Sequence, residues 1–228
     1  MRKTNIDALL IKAQEQLNAI RGEYDRSLHA QQIEPALKID IKNLCENLRS
    51  ALDYIAHDIR EKHCPAANPK DRFYFPILPD SQAFSKQANQ WFPSLATTCP
   101  AVWALLESIQ PFQPGYEWLS RFNRLNNENK HGNLVEQTRK ETHRITASTP
   151  GGSVSWDPAS VRFGAGVYIG GVPVNPATQM PVPHPSQVVE RVIWVDFQFA
   201  DIGVSALSLL SDAVFGITDL TKRVYAVL

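Results

Sequence analysis

The chain has 228 residues, of which 43% are apolar and 20% charged, the make-up of a soluble globular protein of one large domain or two small ones. Its 23 basic and 23 acidic side chains cancel, which argues against a broad, non-specific nucleic-acid binder. A small basic site, or one formed where two subunits meet, stays open.

Cys45, Cys64 and Cys99 are an odd set without a CxxC pair, so no disulfide framework is expected. The first residues, Met-Arg-Lys-Thr-Asn-Ile-Asp, have no apolar core of signal-peptide length. The run Ile202 to Ile217 holds Ser205, Ser208, Ser211 and Asp212 and is shorter than the ~20 apolar residues of a membrane span. These features predict a cytoplasmic protein with no membrane partner.

In chain order, Ile6, Leu10, Ala13, Leu17, Ile20, Tyr24 and Leu28 recur at steps of three and four, one apolar stripe of a first helix that Thr4 or Asn5 could cap. Glu34-Pro35 interrupts it. A second helix is predicted from about Ala36 to His63, with the stripe Ile41, Leu44, Leu48, Ala51/Leu52, Ile55 and Ile59. Two amphipathic helices joined by a short link are expected to pack antiparallel. A loop with proline and asparagine follows, and within it Phe73-Tyr-Phe-Pro-Ile77 is apolar enough to lie across the helix pair. Shorter helices are expected at about Ser81 to Trp91, Pro100 to Ile109 and Tyr116 to His131, the last ended by Gly132.

After Gly132 the pattern changes. Thr142 to Ser148, Val161 to Ile169 and Val188 to Phe199 read as strands. Val189, Val192, Trp194 (or Val195), Phe197 and Phe199 partly alternate along the last of them. Pro150-Gly-Gly152, Gly170-Gly171 and the Pro-rich stretch Val172 to Pro185 read as turns and loop. Three or four antiparallel strands are expected, then a final helix from about Asp201 to Val224. The organisation predicted is a mainly α protein: a helical bundle over 1–133, a small β-rich insert over 134–200, and a C-terminal helix over 201–228 that completes the bundle.

The most informative segment is Arg124-Leu-Asn-Asn-Glu-Asn-Lys-His131. At ~100° per helical residue, seven steps bring Arg124 and His131 within ~20° of one line. Asn127 lies between them, Lys130 borders the stripe, and Arg121 adds charge one turn earlier. A guanidinium, an amide, an ammonium and an imidazole together can hold a phosphate and move a proton near neutral pH. The bland alternative is an exposed polar helix end with cations near its negative pole. Three asparagines in four positions weaken a helix, which makes function one explanation of Asn126, Asn127 and Asn129.

A second constellation, Arg49, Asp53, His57 and Arg60, runs opposite the apolar stripe of the second helix. Its simplest reading is a surface ladder of ion pairs, ~0.3–0.5 kcal/mol each. In the alternative, Asp53, with Arg49 beside it, supports the Arg124 stripe by orienting Lys130 or His131. A metal site is not expected, since His57, His63 and Cys64 lack ligand spacing. No cofactor motif is seen either: the glycines at 164, 166, 170 and 171 lack a following Gly-Lys-Ser/Thr and open no helix. The tryptophans read as core.

Asn47-Leu-Arg-Ser-Ala-Leu-Asp53, Phe75-Pro-Ile77 and Leu125-Asn-Asn-Glu-Asn-Lys-His131 together resemble a group of uncharacterised bacterial proteins whose arrangement is similar to the HEPN superfamily of antiparallel helical bundles. That family's motif is an arginine, four to six residues, then a histidine; Arg124 and His131 fit it at six. The resemblance covers about residues 1–133 and 201–228. It implies a metal-independent endoribonuclease acting as a homodimer, often within a toxin–antitoxin or phage-defence system. In that reading Arg124, Asn127 and His131 are catalytic and Lys130 and Arg121 bind RNA. Other members are non-catalytic and bind a nucleotide or a protein partner, such as an antitoxin. The family often has a polar residue directly after the arginine; here that residue is Leu125.

Overall fold

The computed structural model describes residues 2–30, 35–131, 137–199 and 203–228, with the side chains of 25, 27–30, 129–131, 137–142 and 192–197 outside that description. Gly132, the side chains of Leu28, Lys130 and His131, and most of the Val188–Phe199 alternation therefore lie outside the described residues. The chain divides into two compact units, Met1–Thr138 with Phe197–Leu228, and Arg139–Asp196.

The first unit is built on two long helices, α1 (Lys3–Ala30) and α2 (Pro35–His63). The stripe from Ile6 to Tyr24 is buried, and so is its counterpart from Leu37 to Ile59. The helices run antiparallel. Asn47 donates to Gln16 (2.9 Å) in the middle, and Arg2 at the start of α1 meets Asp58 near the end of α2. Helix α1 starts before Thr4 and Asn5, because its first turn is closed by Ile6 N–H donating to Arg2 and is anchored by Arg2 N–H donating to Asp58 Oδ2 (2.6 Å). The cap comes from across the bundle rather than from a local side chain.

Asp58 is also the acceptor for the Tyr225 hydroxyl and for Arg2 Nη1 (3.0 Å). Burial pushes its carboxyl up in pKa, but the Tyr225 and Arg2 hydrogen bonds outweigh burial and hold it below the ordinary carboxylate value. Burial likewise pushes the Cys45 thiol up to about 12 and Cys64 to about 11, so neither is a ready nucleophile.

Four further helices follow: α3 (Ser81–Trp91), α4 (Leu95–Thr98), α5 (Pro100–Ser108) and α6 (Glu117–His131). Asp80 caps α3 by accepting from Ala83 N–H, and Pro100 opens α5 where a missing N–H costs nothing. Helix α7 (Ala206–Val227) closes the unit and packs against α1, α2, α5 and α6. It begins later than the sequence pattern implies. Val204–Ser205 forms a short strand, β7, opposite Gln198 and Phe199, and the Ser205 hydroxyl then caps the helix by accepting from Ser208 N–H. Among the described residues no helix is long and apolar enough to cross a membrane.

The second unit is β-rich. Strands β1 (Gln137–Thr149) and β2 (Gly152–Trp156) form a hairpin with Ile145 opposite Trp156 and Thr149 opposite Gly152. Only Pro150 and Gly151 make the turn, so Gly152, which read as part of it, is the first residue of a strand. β3 (Tyr168–Ile169), β4 (Val172–Asn175) and β5 (Met180–Pro181) form a small antiparallel sheet, with Gly170 and Gly171 at positive φ in the tight turn between β3 and β4. β6 (Val188–Phe199) joins a sheet of order β2-β1-β6-β7. The strand expected over Val161 to Ile169 is reduced to its last two residues. Gln179 explains part of this: its amide bonds both Phe163 N–H (2.7 Å) and Phe163 C=O (3.1 Å), taking a strand partner's place. Ile145, Ala147, Trp156, Ile169 and Val174 form this unit's own core. Seven strands among the described residues exceed the three or four expected, because several are two-residue pairings too short for any periodic signal.

Candidate functional site

Helix α6 carries the site. Leu119, Phe122 and Leu125 are buried and seat it against α2 and α7. That leaves Asn123, Arg124, Asn127 and Glu128 on the flank towards the segment Phe73–Pro79. This segment alternates as an extended chain does: Phe75 is buried and Tyr74 is half exposed. Its backbone is held by two side chains. Asp53 Oδ1 accepts from Phe75 N–H (3.1 Å). The fully buried Gln110 accepts from Leu78 N–H (3.0 Å) and donates to Pro76 C=O (3.1 Å) and Leu106 C=O (2.7 Å).

Two hollows open along this flank and share Ile77, Asn123 and Asn127. The first, about 300 Å³, lies between α2, α6 and the Phe73–Ile77 segment and is lined also by Arg49, Asp53, Tyr74, Phe75 and Trp91. The second, about 350 Å³, is lined also by Leu78, Pro79, Pro111, Ser120, Arg124 and Glu128.

Arg49 is the pivot of the first hollow. Its side chain is only 10% exposed. It donates through Nε to Asp53 Oδ2 (3.3 Å) and through Nη1 to Asn123 Oδ1 (3.2 Å), and its Nη2 lies 3.2 Å from Asp53 Oδ1. The guanidinium also sits 5.8 Å from the Tyr74 ring centre. This corrects the surface-ladder reading of the second constellation. Arg49 and Arg60 are buried, and Arg60 lies against Phe73 (4.2 Å to the ring centre) while donating to Asn68 C=O (2.7 Å). His57 packs edge-on against the same Phe73 ring. Aromatic residues from the following loop cover a face that the helix pattern marks as polar. Asp53 bonds Arg49 and Phe75 N–H, while the side chains of Lys130 and His131, which it was expected to orient, lie outside the described residues.

In the second hollow Arg124 is 55% exposed and donates through Nε to Glu128 Oε1 (2.7 Å). The other Glu128 oxygen is buried without a hydrogen-bond partner among the described residues. Asn127 is exposed, and Arg121 is exposed on α6 and lines neither hollow. Asn126 is buried, and neither amide atom has a partner among the described residues. The side chains of Lys130 and His131 lie outside the description, although α6 runs through both positions.

Sequence reasoning missed Tyr74, Trp91 and Asn123. The signal for Asn123 was present, since it stands one turn before Asn127. Trp91 lines the first hollow and is not simply core. Among the described residues no group of His, Cys, Asp and Glu could hold a metal ion. No family model matches the chain, and neither a curated protein nor a solved structure matches it.

Proposed function

We propose that the chain is a HEPN-like protein that acts on RNA along α6, as a metal-independent endoribonuclease of a toxin or defence system. The observation that carries the reading is the continuity of α6 from Glu117 to His131. On an unbroken helix, Arg124, Asn127 and His131 share one stripe, and Asn127 lines two adjoining hollows large enough for parts of a nucleotide.

In this chemistry the ribose 2′-hydroxyl attacks the adjacent phosphorus. The P–O5′ bond breaks, the 5′-oxygen takes a proton, and a 2′,3′-cyclic phosphate remains. His131 moves a proton, a role worth ~10²–10⁴-fold, and Arg124 neutralises charge that grows on the phosphoryl oxygens. One imidazole per chain is sparse for a reaction that removes one proton and supplies another. A two-fold pair of chains, bringing two stripes together, supplies the second.

The experiment is cleavage of single-stranded RNA in excess chelator by the wild type and His131→Ala. Wild-type cleavage with loss in the variant supports the reading; equal cleavage by both, or none by either, removes it. The Arg124–Glu128 pair favours a second reading, a non-catalytic module that binds a nucleotide or a protein partner such as an antitoxin, because a cation already neutralised grips phosphate less well. Nucleotide binding without cleavage selects it.

A further inference from the structure

We propose that the hollow between α2, α6 and Phe73–Ile77 is a nucleobase-binding site. The inference rests on the RNA-directed reading above and adds what part of the nucleotide this surface recognises.

The charge balance decides between base and phosphate. Among the described residues Arg49 is the only cationic side chain lining this hollow, and Asp53 neutralises it at 3.2 Å. A phosphate entering would gain little from a cation already paired and would meet the Asp53 carboxylate. A neutral, planar, hydrogen-bonding ring meets neither problem.

The hydrogen-bond inventory fits such a ring. Arg49 needs an acceptor at Asn123, which turns the Asn123 oxygen to the guanidinium and leaves its amide N–H₂ without a partner among the described residues. Asn127, one turn on, has its whole carboxamide uncommitted among the described residues. Two amides one turn apart can read the donors and acceptors on the edge of a base.

The aromatic pair supplies the rest. Tyr74 and Trp91 stand at 77° with ring centres 6.1 Å apart, so a flat ligand lying on one meets the other by its edge. Base–aromatic stacking is the usual source of affinity for single-stranded RNA. A volume of about 300 Å³ lies at the small end of ligand sites, which suits a base or nucleoside and is too small for a dinucleotide.

The test is binding of the four nucleoside 5′-monophosphates to the full chain, read by tryptophan fluorescence and calorimetry, with ribose 5-phosphate as the probe lacking a base. At least one monophosphate is expected to bind ten times more tightly than ribose 5-phosphate. Tyr74→Ala removes a half-exposed ring with little effect on folding and is expected to weaken that binding about tenfold. Asn123→Asp keeps the acceptor for Arg49 but replaces the free donor with an acceptor, so the order of preference among the four bases should change. Ribose 5-phosphate binding as tightly as the monophosphates, or Tyr74→Ala binding like the wild type, overturns the proposal. The two readings fail separately. Base-dependent binding without RNA cleavage leaves this site standing and removes the ribonuclease; cleavage with an unchanged KM in Tyr74→Ala does the reverse.

Discussion

Arg49 on α2 and Asn123 on α6 meet at 3.2 Å, and this bond joins the long helix pair to the helix that carries the candidate site. Arg49→Met should therefore act on stability and on the site together. It leaves Asn123 without its donor and Asp53 without its counter-ion. Because Asp53 is 30% exposed, water offsets part of the loss, and we expect about 1–3 kcal/mol. Adding Asp53→Asn should recover part of it. A double-mutant cycle by urea unfolding measures the coupling, and strictly additive losses would show that the pair is not a unit.

Gln110 ties the Phe73–Pro79 segment to α5 with a fully buried carboxamide, through two hydrogen bonds to the segment and a third to Leu106 C=O. Gln110→Ala leaves Leu78 N–H and Pro76 C=O unpaired and opens a cavity. A cost of about 2–4 kcal/mol is expected. Amide exchange at Leu78 should rise well above that of the wild type, while exchange in the middle of α2 rises only as global stability falls.

Asp58 gives the fold an acid-sensitive joint. Its carboxyl titrates below the ordinary carboxylate value, so its contribution is present above about pH 4 and fades as the pH falls through the lower folded value. Asp58→Asn should cost about 2 kcal/mol at pH 7. Urea midpoints of wild type and variant should converge as the pH drops towards 3. A constant gap across that range would assign the loss to packing.

Two helical glycines should respond oppositely to alanine. At Gly22 on α1 an added methyl meets nothing within 4 Å, so Gly22→Ala should stabilise by about 0.5–1 kcal/mol through helix propensity. At Gly216 on α7 the new carbon would stand 2.2 Å from the Trp118 ring, so either that bulky ring must leave its place or α6 and α7 must move apart. Gly216→Ala should cost about 1–3 kcal/mol despite the same propensity gain. Thermal unfolding of both variants checks the sign.

The helical framework is legible in the sequence because each long helix repeats one signal many times. Ile6 to Tyr24 and Ile41 to Ile59 mark buried faces by spacing alone, and the helices expected from about Ser81 and Pro100 start there. What escapes is set by partners distant in sequence. Nothing near Arg49 announces that Tyr74 and Asn123 will cover it, so a buried ion pair looks like a surface rung. Phe163 ceases to be a strand residue because Gln179, sixteen residues on, takes its backbone. The α6 stripe is half visible for a different reason. Helical geometry fixes which residues share a line, but not that Glu128 pairs with Arg124.

That pair supplies a direct electrostatic test of α6 as the nucleic-acid surface. Glu128 faces Arg124 at 2.7 Å, and its other carboxylate oxygen is buried without a hydrogen-bond partner among the described residues, so its charge adds little to the fold and repels phosphate. Glu128→Gln should leave stability unchanged or slightly raised and should tighten single-stranded RNA binding severalfold. If Arg124 then engages one more phosphate, the log–log salt dependence steepens by about 0.7. Titrations at several salt concentrations, with His131→Ala as background to exclude cleavage, separate the outcomes. Weaker binding in Glu128→Gln would mean that the carboxylate holds Arg124 in its working position, and an unchanged slope would mean that this arginine does not touch the RNA backbone.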